Sequence, residues 1–435
     1  MRPRGHGSTT IIWDATAVRN EEKRSGTYIY GLPPTGWLGR YEKLSHHSAL
    51  RFLCQYNGGE NRGTDSWGGR YACVGCSQVG LDLELTARTL KAMGCHPNAG
   101  AVIVIGLGCE RFDPQELYDA VKATGKPAAK FVIQEEGGVT KTVERAVAVG
   151  RQFAAELARQ ERVPCPLSEL MVATKCGGTD ATSGLAANPA VGSMVDKVVA
   201  EGGSAILSEL NELLGTEKFL AKRAATPEVA KKIYDAIYEI EDVLRGGLDF
   251  SLPENRNQLI SPGNFAGGVS SVVEKALGGV HKSGTAPFQD VLQYALPPEN
   301  GKHGLFLMDY ESQDGEVVTG MIGCGSQVVA FTTGRGHATG HPLAPVIKIT
   351  GNYKTYAAMT ECFDFDASDI ISKGVSVEEA GEKLLELVIR VASGELTAAE
   401  QLGGRELFCV ARRHGYHKKD PRELREHARA CGECS

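Results

Sequence analysis

The sequence lacks the long apolar segments of membrane proteins. Nowhere in its 435 residues is there a run approaching the ~20 apolar residues that cross a bilayer. The opening segment, MRPRGHGSTT, has no apolar core of a secretory signal. A basic excess is also missing: the net charge is -6, which argues against the concentrated basic face of a nucleic-acid binder. We therefore expect a cytoplasmic protein that acts on neither a membrane nor nucleic acid.

Common cofactor signatures are missing too. The phosphate-loop pattern GxxxxGK[ST] does not occur, and GLGCE at 106–110 does not continue as the GxGxxG of dinucleotide-binding proteins. Cys431 and Cys434 form one CGEC pair, without a second pair at zinc-ribbon spacing. The chain has 12 cysteines, which are spread along it rather than packed into a short framework. In a reducing cytosol this distribution favours buried thiols, metal ligands or catalytic groups over disulfides.

Regular structure is predicted only after residue 74. All 3 tryptophans lie in residues 1–74, which show no clear helix or strand pattern. From Gly75 onward, buried strands such as AVIVI alternate with amphipathic helices. This rhythm predicts an α/β fold, with two lobes of mainly parallel sheets flanked by helices. The divisions are an atypical segment 1–74, a first α/β lobe 75–165 and a second, catalytic α/β lobe 166–435 with a C-terminal tail, joined by a linker at 164–170.

The densest motif is TKCGGTDATSGLAANPAVG at 174–192. It follows an apolar strand, and its glycines allow a ligand to approach the backbone. Ligands of parallel sheets bind at the carboxyl ends of strands, which places Lys175, Cys176, Asp180 and Ser183 at a predicted site. The alternative for Asp180 or Ser183 is a plain helix cap.

A second motif is FTTGRGHATGHP at 331–342. Arg335 has the forked guanidinium that binds a carboxylate through two hydrogen bonds. His337 and His341 have the chemistry of an acid, a base or a ligand. The alternative is a glycine-rich loop with solvated histidines, and for His341 the two interpretations are evenly balanced.

Two further motifs lie in the first lobe. In GLGCE, Cys109 and Glu110 stand where a strand ends, and they suit a soft-metal ligand and a carboxylate base. A buried thiol and a helix-start acid are the alternatives. GCSQVG at 75–80 contributes Cys76 and Gln78.

The last motif, SPGNFAGGVSSVVEKALGG at 261–279, adds an amide beside more glycines. Asn264 is its candidate binding residue. Glu274 and Lys275 fall within a helix, where a solvated ion pair is the expected arrangement.

Taken together, GCSQVGLDLELT, HPNAGAVIVIGLGCE, TKCGGTDATSGLAANPAVG, SPGNFAGGVSSVVEKALG and FTTGRGHATGHPLAPVIKI resemble the altronate/galactarate dehydratase family. They occur in order over roughly residues 75–408. The resemblance implies a hydro-lyase that is metal-dependent and typically requires iron. Some members carry a small N-terminal domain and others leave it on a separate subunit, so the resemblance implies a separate small subunit here.

The N-terminal segment departs from the family pattern. A GxRPDGRxGxRN-like segment and an apolar strand normally precede GCSQ, and this chain has neither. Codons for residues 27–74 can be chosen so that the next frame spells such a segment. We therefore expect this stretch to be read in a shifted frame, which inspection of the nucleotide sequence near codon 74 tests.

The predicted reaction removes water from a sugar acid to give a 2-keto-3-deoxy acid. The enolate-like intermediate needs electrostatic support, which a divalent metal supplies as a Lewis acid. Thiolates favour iron over magnesium; Fe²⁺ is expected, with Mn²⁺ or an iron–sulfur cluster as alternatives. The assigned roles are catalytic for Glu110, Lys175, Asp180 and His337, substrate-binding for Gln78, Ser183, Asn264 and Arg335, and metal-binding for Cys76, Cys109 and Cys176.

Three other functions remain open from the sequence. The large subunit of sulfolactate sulfo-lyase belongs to the same family, although the TKCGG form looks more like the sugar-acid enzymes. A non-catalytic sugar-acid binding protein would keep the fold without turnover. An iron or redox sensor would use Cys431 and Cys434. The sequence also allows a homo-oligomer.

Overall fold

The structure is a computed structural model that describes residues 78–411, apart from 161–162, 246–248, 250 and 406, and the backbone of two N-terminal strands. These strands are β1 (Thr10–Asp14) and β2 (Tyr28–Gly31). Cys76, the Cys431–Cys434 pair and the predicted shifted frame, other than residues 28–31, lie outside the described residues.

The first lobe contains a three-stranded sheet. Its strands are β3 (Ala101–Gly106) and β4 (Ala128–Val132), which are parallel, and β1, which is antiparallel to β3. A separate antiparallel pair joins β2 to β5 (Val163–Pro166). The prediction of a linker at 164–170 was therefore wrong in part, because this segment holds β5 and a 3₁₀ turn at Leu167–Glu169.

The second lobe is built on a seven-stranded sheet in which every neighbouring pair is parallel. Its order is β12-β11-β10-β6-β7-β9-β8. The bounds are β6 Met171–Cys176, β7 Ser204–Leu207, β8 Phe288–Gln293, β9 Gly304–Asp309, β10 Val328–Thr332, β11 Val346–Thr350 and β12 Phe365–Asp366. The prediction of an α/β fold with mainly parallel sheets is confirmed.

Helices flank these sheets, as the alternating pattern predicts. In the first lobe they are α1 Gly80–Cys95, α2 Pro114–Ala123 and α3 Val139–Leu157. In the second lobe they are α4 Asn188–Ala200, α5 Glu217–Ala221, α6 Pro227–Arg245, α7 Pro253–Arg256, α8 Pro262–Ala266, α9 Val272–Val280, α10 Asp314–Gly323, α11 Tyr353–Ala358, α12 Asp369–Ser372, α13 Val377–Ala392 and α14 Ala398–Gln401. Among the helices of the described residues, none is long and apolar enough to span a membrane.

The large sheet is covered on both faces, which explains its continuous apolar strands. Side chains alternate between faces along β9: Leu305 and Leu307 join one core, while Phe306 and Met308 join the other. The first core includes residues of α4 and α13, and the second includes residues of α1 and α10. Since α1 belongs to the first lobe, the two lobes share this second core.

Strand β6 lies at the point where the winding of the sheet reverses. The next strand in the chain, β7, pairs with one edge of β6, and β10 pairs with the other edge. Crossover connections leave such a position in opposite directions, which opens a crevice at the carboxyl ends of the strands. The last residues of β6 and the loop after β10 therefore border the expected binding site.

Candidate active site

A cluster of charged side chains, most of them buried, lies at the carboxyl end of β6. Lys175 and Cys176 end this strand, and Glu209 follows the end of β7 by two residues. Asp314 begins α10, and His337 lies in the loop after β10. The topology thus brings together residues that are up to 162 positions apart in the chain.

Glu209 is the centre of this cluster. Its side chain is fully buried, and its backbone is left-handed, with φ of 73°. Nζ of Lys175 contacts Oε1 at 2.6 Å, and Nζ of Lys282 contacts Oε2 at 2.6 Å. The backbone N–H of Cys176 donates to Oε2 at 3.0 Å. A left-handed backbone is unfavourable for a residue other than glycine, and the two ion pairs that hold the Glu209 carboxylate in place offset this cost.

The Cys176 thiol is buried against a second carboxylate. Its Sγ donates to Oε2 of Glu212 at 3.0 Å, while Nζ of Lys275 contacts Oε1 of Glu212 at 2.9 Å. Burial, together with Glu209 and Glu212, raises the pKa of Cys176 to about 12. Burial would raise the pKa of Glu212, but Lys275 and the other lysines outweigh it and lower the pKa to about 2. The pair is therefore a neutral thiol and a carboxylate.

The third carboxylate connects the cluster to His337. Oδ1 of Asp314 lies 2.8 Å from Nζ of Lys175, and Oδ2 lies 3.2 Å from Nε2 of His337. Burial opposes ionisation of Asp314, but the hydrogen bond with His337 and the charge of Lys175 hold its pKa well below the ordinary value. The His337 ring also packs against Phe331, with 4.9 Å between centroids. A carboxylate that orients a partly exposed histidine is a common arrangement for proton transfer.

The charges of the cluster balance without a metal ion. Cys176, Glu209 and Glu212 are the one group in the described part of the chain whose three candidate ligand atoms lie within 4.8 Å of one another. However, lysine ammonium groups contact both oxygens of Glu209 and one of Glu212. A dication here would have to displace these ammonium groups. This donor set, as folded, does not fit a resident Fe²⁺.

The structure brings three of the predicted site residues into this cluster: Lys175, Cys176 and His337. Arg335 is exposed in the same loop as His337, and its side-chain stem packs close to Gly178. The functional roles assigned to these residues stay predictions.

Asp180 and Ser183 lie next to the cluster and contact each other. Oδ1 of Asp180 accepts from Oγ of Ser183 at 3.1 Å and from Oγ1 of Thr182 at 2.7 Å, and Oδ2 accepts from Nδ2 of Asn352 at 2.7 Å. Asn264 accepts from the backbone N–H of Thr179 at 2.8 Å. These hydrogen bonds fix the turn between β6 and α4, which is the helix-cap alternative, and the predicted chemical roles stay untested.

The first-lobe candidates do not join the metal-ligand group around Cys176. Cys109 is exposed after β3. Glu110 accepts from the backbone N–H groups of Leu107 and Gly108 at 3.0 and 2.7 Å. Gln78 is buried and donates to Oγ1 of Thr86 at 2.8 Å. The hydrogen bonds named here for Glu110 and Gln78 stabilise local structure, and the predicted roles of all three residues stay untested.

Two expectations from the sequence were wrong about burial. Lys275 is not part of a solvated pair with Glu274, because only 5% of Lys275 is exposed and its partner is Glu212. His341 is not solvated, because only 3% of it is exposed, and burial lowers its pKa to about 3.

Five cluster residues were not singled out as site residues: Glu209, Glu212, Lys275, Lys282 and Asp314. The pattern of SAILSEL at 204–210 favours a strand over its whole length, but β7 ends at Leu207 and leaves Glu209 in a turn. Two acidic residues after a buried strand were the available signal, because the carboxyl ends of parallel strands meet at one edge.

Comparison with known proteins extends this description. The family model "D-galactarate/Altronate dehydratase, C-terminal" matches residues 167–414, and "D-galactarate dehydratase/Altronate hydrolase, second domain" matches residues 70–158. The first range contains the whole charged cluster.

Curated relatives give the same result. The beta subunit of (2R)-sulfolactate sulfo-lyase from Chromohalobacter salexigens is 38% identical over 77% of this chain and 84% of its own. Altronate dehydratase from Bacillus subtilis is 36% identical over 77% of this chain and 65% of its own. Altronate dehydratase from Escherichia coli is 32% identical over 90% of this chain and 74% of its own. The chain therefore belongs to the D-galactarate/altronate dehydratase family and is an enzyme of its lyase class.

Proposed function

We propose that the chain dehydrates a sugar acid of the altronate or galactarate type to a 2-keto-3-deoxy acid. The observation that supports this most directly is the network of ion pairs that runs from His337 through Asp314 and Lys175 to Glu209 and Lys282. An imidazole and a carboxylate lie there beside several ammonium groups at the carboxyl edge of a parallel sheet. Such a site suits the loss of a proton next to a carboxylate, because the resulting dianion needs fixed positive charge.

The proposed reaction begins with removal of the proton at C2 of the substrate. The electron pair of the C–H bond moves toward the carboxylate, and ammonium groups of the cluster stabilise the charge that develops there. His337, oriented by Asp314, is proposed to transfer protons as base and then as acid. It protonates the departing C3 hydroxyl, which leaves as water. The remaining enol takes a proton at C3 and becomes the 2-keto acid.

Lys282 and Lys275 are the cations proposed to contact the substrate. Lys175 is saturated, because it contacts Glu209 and Asp314 as well as the backbone oxygens of Cys176 and Ser312. Lys275, in contrast, contacts one oxygen of Glu212. An ammonium group has three donors, so Lys275 retains hydrogen-bonding capacity for a carboxylate.

Iron dependence is part of the proposal, but the cluster does not supply its ligands. Fe²⁺, when bound, would polarise the substrate carboxylate and a hydroxyl as a Lewis acid. No step is assigned to it, because the carboxylates around Cys176 are already neutralised by lysines. Cys76 lies outside the described residues and Cys109 outside the cluster, so their metal-binding roles stay predictions, whereas the surroundings of Cys176 do not support its own.

A separate small subunit and a cytoplasmic location complete the proposal. One relative is the beta subunit of a sulfo-lyase, which is consistent with a partner chain for this protein. That similarity also supports sulfolactate cleavage as the second candidate function. Its test is the release of sulfite.

The proposal is tested by a substrate panel under anaerobic conditions with added Fe(II). The purified chain is incubated with altronate, galactarate, related sugar acids and sulfolactate, and both 2-keto acid and sulfite are measured. We expect 2-keto acid from one sugar acid and no sulfite. Sulfite release would support the sulfo-lyase instead, and substrate binding without turnover would support a binding protein.

A companion assay separates the effects of the N-terminal segment from those of the site. The unaltered and the frame-corrected chain are each assayed on the same panel with the small subunit. Activity of the frame-corrected chain alone assigns the fault to residues 27–74. Inactivity of this complete system on every sugar acid would contradict the proposed dehydration.

A further inference from the structure

The turn after β7 contains a polar side chain that has no role in the proposed reaction. Asn211 lies between Glu209 and Glu212 in the 3₁₀ turn Leu210–Glu212. Only 9% of Asn211 is exposed, and its Oδ1 is buried without a hydrogen-bond partner. A buried amide oxygen without a hydrogen-bond donor is energetically unfavourable, and it can still accept a hydrogen bond.

The orientation of this amide is fixed by the opposite loop. Nδ2 of Asn211 donates to Oγ of Ser312 at 2.9 Å. The backbone oxygen of Ser312 in turn accepts from Nζ of Lys175 at 3.2 Å, so the amide belongs to the same bonded network as the charged cluster. Exchange of the amide oxygen and nitrogen would leave the other end unpartnered instead, so the unmet hydrogen bond does not depend on that assignment.

We propose that Asn211 determines specificity by hydrogen bonding to a hydroxyl of the substrate other than the one that leaves. This inference rests on the proposed function, because it concerns how that site recognises a polyhydroxy acid. The cations of the cluster suit a carboxylate, but they do not distinguish one polyhydroxy chain from another. A fixed, neutral amide does, because a substrate that lacks the matching hydroxyl leaves a buried polar group unpaired.

The test compares the unaltered protein with Asn211→Leu, which replaces the amide with an apolar side chain of the same branching and larger volume. The probes are altronate and three altronate analogues that lack the hydroxyl at C4, C5 or C6. We expect the unaltered protein to prefer altronate over one analogue by about 100-fold or more in kcat/KM. In Asn211→Leu this preference should disappear. The kcat/KM on altronate should fall by most of the 100-fold factor, while the kcat/KM on the analogue should change little. The control is Asn255→Leu, which changes a half-buried asparagine of α7 that bonds the backbone oxygen of Asp249, and it should keep the preference.

Thermal unfolding with ligand supplies a second measurement that does not need turnover. Altronate should raise the Tm of the unaltered protein, and it should raise the Tm of Asn211→Leu by less, because the variant has lost a hydrogen bond to the ligand. The Tm of the variant without ligand serves as a folding control, because the substitution also removes the hydrogen bond to Ser312. An unchanged substrate preference, equal losses on all four acids, or an equal Tm increase in both proteins would overturn the inference. If the complete system acts on no sugar acid, the proposed function fails, and the altronate-induced Tm increase alone decides on Asn211.

Discussion

Lys175 and Glu209 form an ion pair of 2.6 Å in which each side chain is only 1% exposed. Burial would lower the pKa of Lys175, but Glu209 and Asp314 outweigh it and keep the pKa well above the ordinary value. Lys175 is therefore charged in the folded protein. Such a pair is costly to break, because removal of one partner leaves an uncompensated charge in the interior.

Neutralising Glu209 should destabilise the fold. Glu209→Gln leaves Lys175 and Lys282 without their shared carboxylate, and we expect a loss of about 3–5 kcal/mol in the free energy of unfolding. Denaturant titration measures it. Glu382→Gln, an exposed change on α13, is the matched control and should cost less than about 0.5 kcal/mol. A loss for Glu209→Gln as small as that of the control would contradict the central role of this carboxylate.

His337→Gln should remove proton transfer while preserving the fold. General acid–base catalysis contributes about 100- to 10,000-fold, so we expect a fall of that size in kcat/KM on the substrate that the panel identifies. His303→Gln, an exposed histidine before β9, serves as control. Equal activities of the two variants would exclude His337 as the proton-transfer residue.

Cys176→Ser should retain whatever iron the protein binds. The thiol is neutral and the neighbouring carboxylates are paired with lysines, so its loss removes no metal ligand. Elemental analysis of the anaerobically loaded protein measures this directly. Cys324→Ser, another fully buried thiol whose pKa burial raises to about 12, is the matched control. Loss of iron in Cys176→Ser with retention in the control would restore the thiolate-ligand assignment.

Acid should destabilise the protein through two buried histidines. Burial lowers the pKa of both His96 and His341 from 6.5 to about 3, so the folded state excludes protons that the unfolded chain binds. Stability is then complete above pH 6.5 and falls as the pH drops from there toward 3. The expected slope is at most about 1.4 kcal/mol per pH unit for each histidine.

Urea titrations between pH 7 and pH 5 check this window, which lies above the ordinary carboxylate range. The His341→Gln variant should show about half the slope of the unaltered protein. An unchanged slope would mean that the imidazole of His341 does not titrate in the way its burial implies.

The sequence predicted the parallel sheet and one side of the site because both follow from local patterns. Lys175 and Cys176 end an apolar strand before a glycine-rich turn, and His337 lies in a glycine-rich loop after another. The sequence shows where a residue lies relative to the end of a strand. Because the carboxyl ends of parallel strands meet at one edge of the sheet, residues at such positions are expected to lie close together.

The remaining site residues depend on tertiary packing. Lys275 has the local pattern of an exposed helical ion pair, and only the docking of α9 beside the Glu209 turn buries it against Glu212. Lys282 and Asp314 likewise show no local pattern that distinguishes them from surface charges. Asp180 was singled out from its local motif, but its hydrogen bond from Asn352 joins it to a distant part of the chain that the motif does not reveal.

The most direct test of the central claim is a nuclear magnetic resonance experiment in D₂O with the substrate that the panel identifies. Removal of the C2 proton, loss of the C3 hydroxyl and collapse of the enol predict a 2-keto-3-deoxy acid with one deuterium at C3. Product without deuterium at C3 would contradict an enol intermediate protonated from solvent. Unchanged sugar acid in the complete, iron-loaded system would contradict the dehydration itself.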